Sequence, residues 1–389
     1  MTQRNCPVCG SKESHIVDEI NLVNFDNEQN IFDRQTIKAC DQCGFVYHTM
    51  NFDGFDSHYM HYTGNSTIKP MTDDEKILNN NMEDFIQYHL NIPKDAKILD
   101  VGCGYGWLLG LFKERGYTDV YGMDTDKDTI EKLKLNGLKV SYGNICLENG
   151  EVVNLNEKYD VIVSKMVFEH LLNPRLAVEN IAKYLNDGGI LVIEVPDVSL
   201  YDTTAFFPGY FQSVNMEHIN NYSYQSLCNL LYDFRAIASE STPSGGIFPV
   251  LRVAFKKQKQ GIPSDIVFCS TDEKKIRYSI HKFSAYGKRM NEKIQYLLNG
   301  KKKCVVWGVS AFTKGLLTYT DLRHCNIDFF VDSNPLYQTK TLLGRAIMAP
   351  SVLKNCAATI VIPGKTSQKS ILKAIQDMDI SNEIVCLSE

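Results

Sequence analysis

Four cysteines near the amino terminus have the spacing of metal ligands. Cys6-Pro-Val-Cys9-Gly10 and Cys40-Asp-Gln-Cys43-Gly44 are two C-x-x-C-G knuckles separated by thirty residues. Each sets two sulfurs on one side of a tight turn, and the following glycine relieves the strain of that turn. Two such turns close a tetrahedral shell around zinc. Four thiolates fill the coordination sphere and leave no open position for substrate or activated water, so the zinc expected at Cys6, Cys9, Cys40 and Cys43 is structural. A redox role for one C-x-x-C is the alternative. The other eight of the 12 cysteines show no pairing pattern and read as buried thiols.

A second group of residues could hold a nucleoside. In KILDVGCGYGWLLGLF, Asp100 is followed by Gly102, Gly104 and Gly106, which remove side chains where the backbone must turn tightly and approach a ligand. Twenty-four residues after Asp100, Asp124 closes VYGMD, and an acid there suits a ribose diol. A dinucleotide site would want a third glycine at position 107, to bring helix and strand together. Trp107 stands there instead, which disfavours a pyrophosphate.

Particular elements must lie beneath these residues. Ile98, Leu99 and Val101 are the apolar run of a short parallel strand, and Val120 to Met123 form a second that delivers Asp124 at its carboxyl end. The helix between them carries Trp107, Leu108, Leu109, Leu111 and Phe112, too many apolar residues for an exposed face, so it packs on a sheet. YDVIVSKMVFEHLLNP (Tyr159 to Pro174) and LNDGGILVIEVPD (Leu185 to Asp197) read as further strands ending in active-site loops. INLVNF and QTIKACDQCGFVYH are candidate strands of a small zinc module.

The order of a strand ending in an acid, then G-x-G-x-G, then an acid closing the next strand resembles the class I S-adenosylmethionine-dependent methyltransferases. The matching residues are Asp100, Gly102, Gly104, Gly106 and Asp124. The resemblance implies an α/β, Rossmann-like domain that binds S-adenosylmethionine at these positions. Asn144 in SYGNI stands where that family often places an acid near the adenine amine, and an amide oxygen can accept the same hydrogen bond.

Composition bounds the rest. At 389 residues the chain has room for two or three domains, and 44% hydrophobic with 22% charged residues is an ordinary soluble balance. No apolar run approaches the roughly 18 residues of a membrane span, and the start MTQRNCPVCGSKESH does not read as a signal peptide, so a cytoplasmic location is expected. A net charge of −5 argues against a general nucleic-acid surface. Lys256–Lys257 and Lys301–Lys303 read as solvated linker and strand-start residues.

After LRVAF the polar stretch KKQKQGIPSD reads as a linker, and a helix is expected from about Ser270 to Leu298, with Ile276, Ile280, Phe283, Tyr286, Met290 and Ile294 as its apolar stripe. KKKCVVWGVSAFTKGLL then repeats the strand, glycine turn and helix order, and IDFFVDSNP ends its next strand at Asp332. Gly308 has no second glycine after it until Gly315, so this unit is a degenerate nucleotide-binding βαβ. Later strands are expected at RAIMAP and ATIVIP. The expected organisation is a zinc-binding module over 1–70, a methyltransferase domain over 71–255, a linker and helical bridge over 256–300, and a degenerate Rossmann-like domain over 301–389.

That order resembles, over essentially the whole length, the sugar C-methyltransferases acting on nucleotide-linked 3-keto-deoxysugars. VDSNPLYQTKTLLG is similar to that family's D-x-N-P-x-K-x-G-x-x-x-P-G segment, with Thr339 near one glycine position and Leu343 at the proline. The resemblance implies a nucleotide-sugar acceptor, S-adenosylmethionine and a structural zinc. The family's Tyr-His-Glu-His run corresponds to Asn215-Met216-Glu217-His218, in which the Glu–His pair is kept and the tyrosine and first histidine are replaced. The resemblance makes His218 the general base, with Glu217 orienting it or binding a sugar hydroxyl. Tyr62, or else Tyr59, in HYMHYTGNST would donate to an enolate oxygen, and His170 in FEHLLNP would contact substrate. A histidine with a pKa near ~6.5 is neutral often enough at physiological pH to remove the proton beside a ketone.

Other readings keep their place. Glu217–His218 could be a lid element and His170 a packing residue at a helix start. The same histidine could deprotonate a hydroxyl in O-methylation of a sugar or other polar metabolite. A nucleic-acid methyltransferase is disfavoured by SKMV after the fourth strand, which lacks an N-P-P-Y type of run, and a non-catalytic binding module by the intact glycines and Asp124. Oligomeric state is not legible.

Overall fold

In the computed structural model of the chain, residues 4–26, 34–55, 70–146, 157–202, 217–242, 249–258 and 265–388 are described. Contacts divide the chain into two compact units. One comprises Met1–Asp18, Thr36–Phe206 and Glu217–Ile276; the other comprises Glu19–Gln35, Phe207–Met216 and Arg277–Glu389.

The cysteine-knuckle region forms β1 (Ser14–Asn21), β2 (Arg34–Cys40) and β3 (Val46–Thr49). The strand expected over INLVNF starts earlier in the chain than that segment. Val17 and Ile20 supply the buried positions of β1, and Phe25 pairs with Leu342 only as an isolated bridge.

The larger sheet is built from β4 (Lys97–Val101), β5 (Asp119–Asp124), β6 (Val140–Tyr142), β7 (Tyr159–Lys165) and β8 (Leu185–Pro196), all parallel. After β9 (Asn220–Asn221), which pairs with β3, the strands β10 (Phe234–Thr242) and β11 (Val250–Lys257) add to it antiparallel. The seven-stranded order is β10-β11-β8-β7-β4-β5-β6. The chain winds outward from β4 in one direction through β5 and β6 and in the other through β7 and β8. The switch point, where a crevice opens at the strand ends, therefore lies between β4 and β7.

Among the described residues, α1 (Asp73–Leu90), α2 (Trp107–Glu114), α3 (Lys127–Leu135), α4 (Pro174–Tyr184) and α5 (Tyr224–Leu230) accompany these strands, and the long α6 (Asp272–Asn299) falls mostly in the second unit. Thr72 and Glu75 close a capping box on α1, satisfying two backbone N–H groups reciprocally. In α2, Leu108, Leu109 and Phe112 are buried in one core with Ile98 and Val120, as the apolar content of that segment requires. The stripe expected on α6 has Ile276, Met290 and Ile294 buried and Ile280 half-buried; the side chains of Phe283 and Tyr286 lie outside the described residues.

The second unit carries β12 (Cys304–Trp307), α7 (Ala311–Tyr319), β13 (Ile327–Val331), β14 (Thr341–Leu342), β15 (Arg345–Met348), β16 (Thr359–Ile362), α8 (Lys365–Asp377) and β17 (Ile384–Cys386). Its six-stranded order is β14-β15-β13-β12-β16-β17, parallel except for the short β14. The strands expected at RAIMAP and ATIVIP are β15 and β16. Among the described residues no helix is long and apolar enough to cross a membrane.

Candidate active site and metal centre

The crevice at the switch point holds a cavity of about 240 Å³ whose lining includes Gly102, Gly104, Asp124, Asn144, Met166 and His170. Its floor is the turn after β4. Gly102 has φ +78° and Gly104 φ +48°, and a Cβ on Gly102 would sit 2.3 Å from Val167 Cγ2, so a side chain fits neither the backbone nor the space. The Gly102 N–H donates to the Met123 carbonyl at 2.8 Å, tying the turn to β5.

Asp124 stands at the rim of this turn as a backbone cradle. Its Oδ2 accepts from the Gly104 N–H at 2.9 Å and its Oδ1 from the Asp126 N–H at 3.0 Å. Asp126 in turn caps α3, accepting from the Thr129 N–H at 3.0 Å. Burial pushes the Asp124 carboxyl up, and those N–H groups pull it back. Each carboxylate oxygen retains a lone pair, so two hydroxyls can still be accepted. The Oδ1 of Asn144, also in the cavity wall, accepts from the Cys146 N–H at 2.8 Å.

Asp100 lies beneath the turn, 2% exposed, and its Oδ1 meets no hydrogen-bond donor among the described residues. Burial pushes its carboxyl up to about 7, against the opposing pull of Lys165. A buried carboxylate short of a donor favours a cationic ligand nearby. Gly106, at φ +74°, occupies the N-cap position of α2.

The opposite wall is the segment after β7. Met166 adopts φ +56°, an uncommon conformation for a side-chain-bearing residue, and its N–H donates to the Glu194 carbonyl at 2.9 Å. Phe168–His170 forms a short 3-10 turn that presents His170 to the cavity. His170 Nδ1 lies 3.1 Å from the Glu217 carbonyl oxygen, and the ring meets that of His218 edge to face with centroids 4.7 Å apart. His218 is 7% exposed. Glu169 is fully buried behind them, with Oε1 3.9 Å from His170 Nε2, and burial pushes its carboxyl up to about 8. His170, Glu217 and His218 thus meet at one place, whereas Tyr62 and Tyr59, with Asn215 and Met216, lie outside the described residues.

The four knuckle cysteines also converge. Their sulfurs all lie within 4.8 Å of one another, with Cys6–Cys43 at 3.6 Å and Cys9–Cys40 at 3.5 Å. Tetrahedral Zn–S bonds of about 2.3 Å require S···S separations of about 3.8 Å, so the donor set fits zinc in kind, number and size. The turns are closed by the Gly10 N–H on the Cys6 carbonyl and the Gly44 N–H on the Cys40 carbonyl. Gly44 cannot carry a side chain, because a Cβ would lie 2.7 Å from the Cys269 carbonyl oxygen.

Met166 and the buried Glu169 carboxyl gave no signal in residue spacing, and Asp100, which its spacing did single out, gave none of its missing donor. A positive φ outside glycine and a buried acid without a donor are properties of the packed chain.

Residues 75–234 match the family described as "Methyltransferase domain", and the strands β4 to β8 within them have the Rossmann-like α/β order expected for it. Among curated proteins, the chain is 32% identical over 113 residues to the ubiquinone biosynthesis O-methyltransferase of Rickettsia typhi, covering 28% of this chain and 44% of that one. It is 33% identical over 108 residues to the ribosomal protein L11 methyltransferase of Thermosipho melanesiensis, covering 27% and 40%. The chain therefore spans less than half the length of either relative. Among solved structures, the N-methyltransferase NodS from Bradyrhizobium japonicum, in complex with S-adenosyl-l-homocysteine, aligns with a TM-score of 0.37 and 15% identity over 48% of this chain and 88% of that one.

Proposed function

We propose that this chain transfers a methyl group from S-adenosylmethionine to a small-molecule acceptor. The observation that carries the reading is one cavity lined by both the Gly102–Gly104 turn with its Asp124 cradle and His170, whose ring meets that of His218. Asp124 accepts the ribose hydroxyls, and the buried Asp100 carboxyl complements the positive charge of the cofactor. The sulfonium methyl needs no metal to activate it, so the enzyme's task is to create a nucleophile and hold it in line behind the methyl carbon.

The acceptor proposed is a nucleotide-linked keto-deoxysugar, methylated at carbon. This finer reading rests on the whole-length resemblance, on the Glu217–His218 pair and on the cysteine knuckles. His218, with His170 against it, removes the proton from the carbon beside the ketone. The electron pair of that C–H bond forms an enolate, whose carbon attacks the sulfonium methyl. The S–CH₃ bond breaks, S-adenosylhomocysteine leaves, and the imidazolium returns its proton to solvent. Tyr62 donates to the enolate oxygen and Glu217 orients the base or a sugar hydroxyl. The four knuckle cysteines hold a structural zinc.

O-methylation is the second reading, supported by the relatives named as O-methyltransferases. The same histidine would then take a hydroxyl proton. Nucleotide sugars incubated with methyl-labelled S-adenosylmethionine, with the new methyl located by mass and NMR, separate the two. His218→Asn should lower turnover about 10²-fold or more with S-adenosylhomocysteine affinity nearly unchanged. Near-normal turnover in that variant moves the base elsewhere. No binding of S-adenosylmethionine or S-adenosylhomocysteine in calorimetry ends the methyltransferase reading.

A further inference from the structure

Two loops far apart in sequence must be held together for His170 and His218 to meet, and one side chain contacts both. Arg4 Nη2 donates to the Leu171 carbonyl at 3.0 Å and the Leu172 carbonyl at 2.8 Å, and Nε also reaches Leu172 at 3.2 Å. Its Nη1 donates to the Ile219 carbonyl at 3.3 Å and to the His48 carbonyl at 3.2 Å, and Nη2 reaches Asn220 Oδ1 at 2.8 Å. The guanidinium therefore grips the residues immediately following both histidines, and anchors them to β3. Asn220 completes the clamp, its Nδ2 donating to the Phe168 carbonyl at 2.9 Å and the Leu171 carbonyl at 2.7 Å.

Only arginine suits this position. Its planar fork offers five N–H donors in fixed directions, enough to serve acceptors on three separate segments at once, whereas a lysine offers three donors from a single point. Arg4 is also two residues from Cys6, so the grip starts from the first cysteine knuckle.

We propose that Arg4 is a positioning residue, which sets the separation of the His170 and His218 rings by fixing the loops that carry them to the cysteine-knuckle module. The catalytic meaning of that separation rests on the reading of His218 as the general base with His170 against it; the separation itself does not.

The test uses the full chain with ring-labelled histidine, the His170 and His218 signals being assigned from His→Gln variants. Wild-type protein should show a nuclear Overhauser contact between the two rings. Arg4→Ala should lose it, keep S-adenosylhomocysteine affinity within about threefold of wild type, and regain the contact when methylguanidinium is added. Arg4→Lys should also lose it, because charge without the fork cannot bridge the loops, and it decides the matter if the alanine variant fails to fold. A contact that persists in Arg4→Lys, or one absent from the wild type, overturns the proposal. Failure of the wild type to bind S-adenosylhomocysteine would instead remove the enzymatic reading, leaving the ring contact to decide the role of Arg4.

Discussion

Asp124 is the residue on which the cofactor reading can be tested most directly. It serves two backbone N–H groups and stands ready for two ribose hydroxyls. Asp124→Ala should weaken S-adenosylhomocysteine binding by roughly ten- to a hundred-fold in calorimetry, the cost of about 1–3 kcal/mol for unpaired buried donors. Unchanged affinity would place the nucleoside elsewhere. Asp100 and Glu169 make a prediction of opposite character. Burial raises both carboxyls, to about 7 and about 8, so between the ordinary carboxylate range and those values the folded state binds more protons than the unfolded one. Stability therefore falls as pH rises through that window. Glu169→Gln removes one of the two titrations, and its Tm should decline less between pH 6 and pH 9, by a difference on the order of 5 °C. Parallel Tm curves for wild type and variant would refute the argument. The glycine turn and Asp124 were legible in the sequence because their chemistry is local, each partner lying within about two dozen residues. Arg4 was not, since its acceptors on Leu171 and Asn220 lie 167 and 216 positions away.

Among the elements, the cysteine knuckles and β9 matter most to the site. The knuckles are short, self-contained turns whose spacing announced them, but their joining to the histidine loops through β3, β9 and Arg4 is tertiary and left no periodicity to read. Cys9→Ser should abolish stoichiometric zinc in elemental analysis. It should also lower the Tm of the module rather than alter only turnover, because a structural metal supplies folding free energy where it binds. Zinc-free preparations of native wild type, with the module folded, would count against the site. The strand expected over INLVNF failed for a related reason: its apolar residues suit an extended segment, but strand pairing is decided by partners outside the segment.

For the whole molecule, the second unit repeats the cradle of the first. The Gly308 N–H donates to the Val331 carbonyl at 2.8 Å, Asp332 Oδ2 accepts from the Val309 N–H at 2.8 Å, and Oδ1 accepts from the Asn334 N–H at 2.8 Å. Those three bonds are the counterparts of the Gly102, Gly104 and Asp126 bonds described above. The repeated strand, turn and helix order was legible from residue types; that the acid would close the turn in the same way could only be seen in the folded chain. Asp332→Ala, which leaves the Val309 and Asn334 N–H groups without their acceptor, should lower the Tm of the second unit by about a few degrees while S-adenosylhomocysteine affinity stays within about threefold of wild type. An unchanged Tm would show that these bonds do not hold the turn.

The clamp made by Arg4 also fixes an order of events during synthesis. The four cysteines have all been made once residue 43 has left the ribosome, so the knuckles can come together early. The acceptors on Ile219 and Asn220 follow roughly 180 residues later. At about 5–20 residues per second, that is a delay of roughly ten to thirty-five seconds. For most of it the guanidinium sits beside the cysteine knuckles with His48 the one acceptor residue already translated and Leu171, Leu172, Ile219 and Asn220 still to come, and the two histidine loops can lock only when the nascent chain has delivered them.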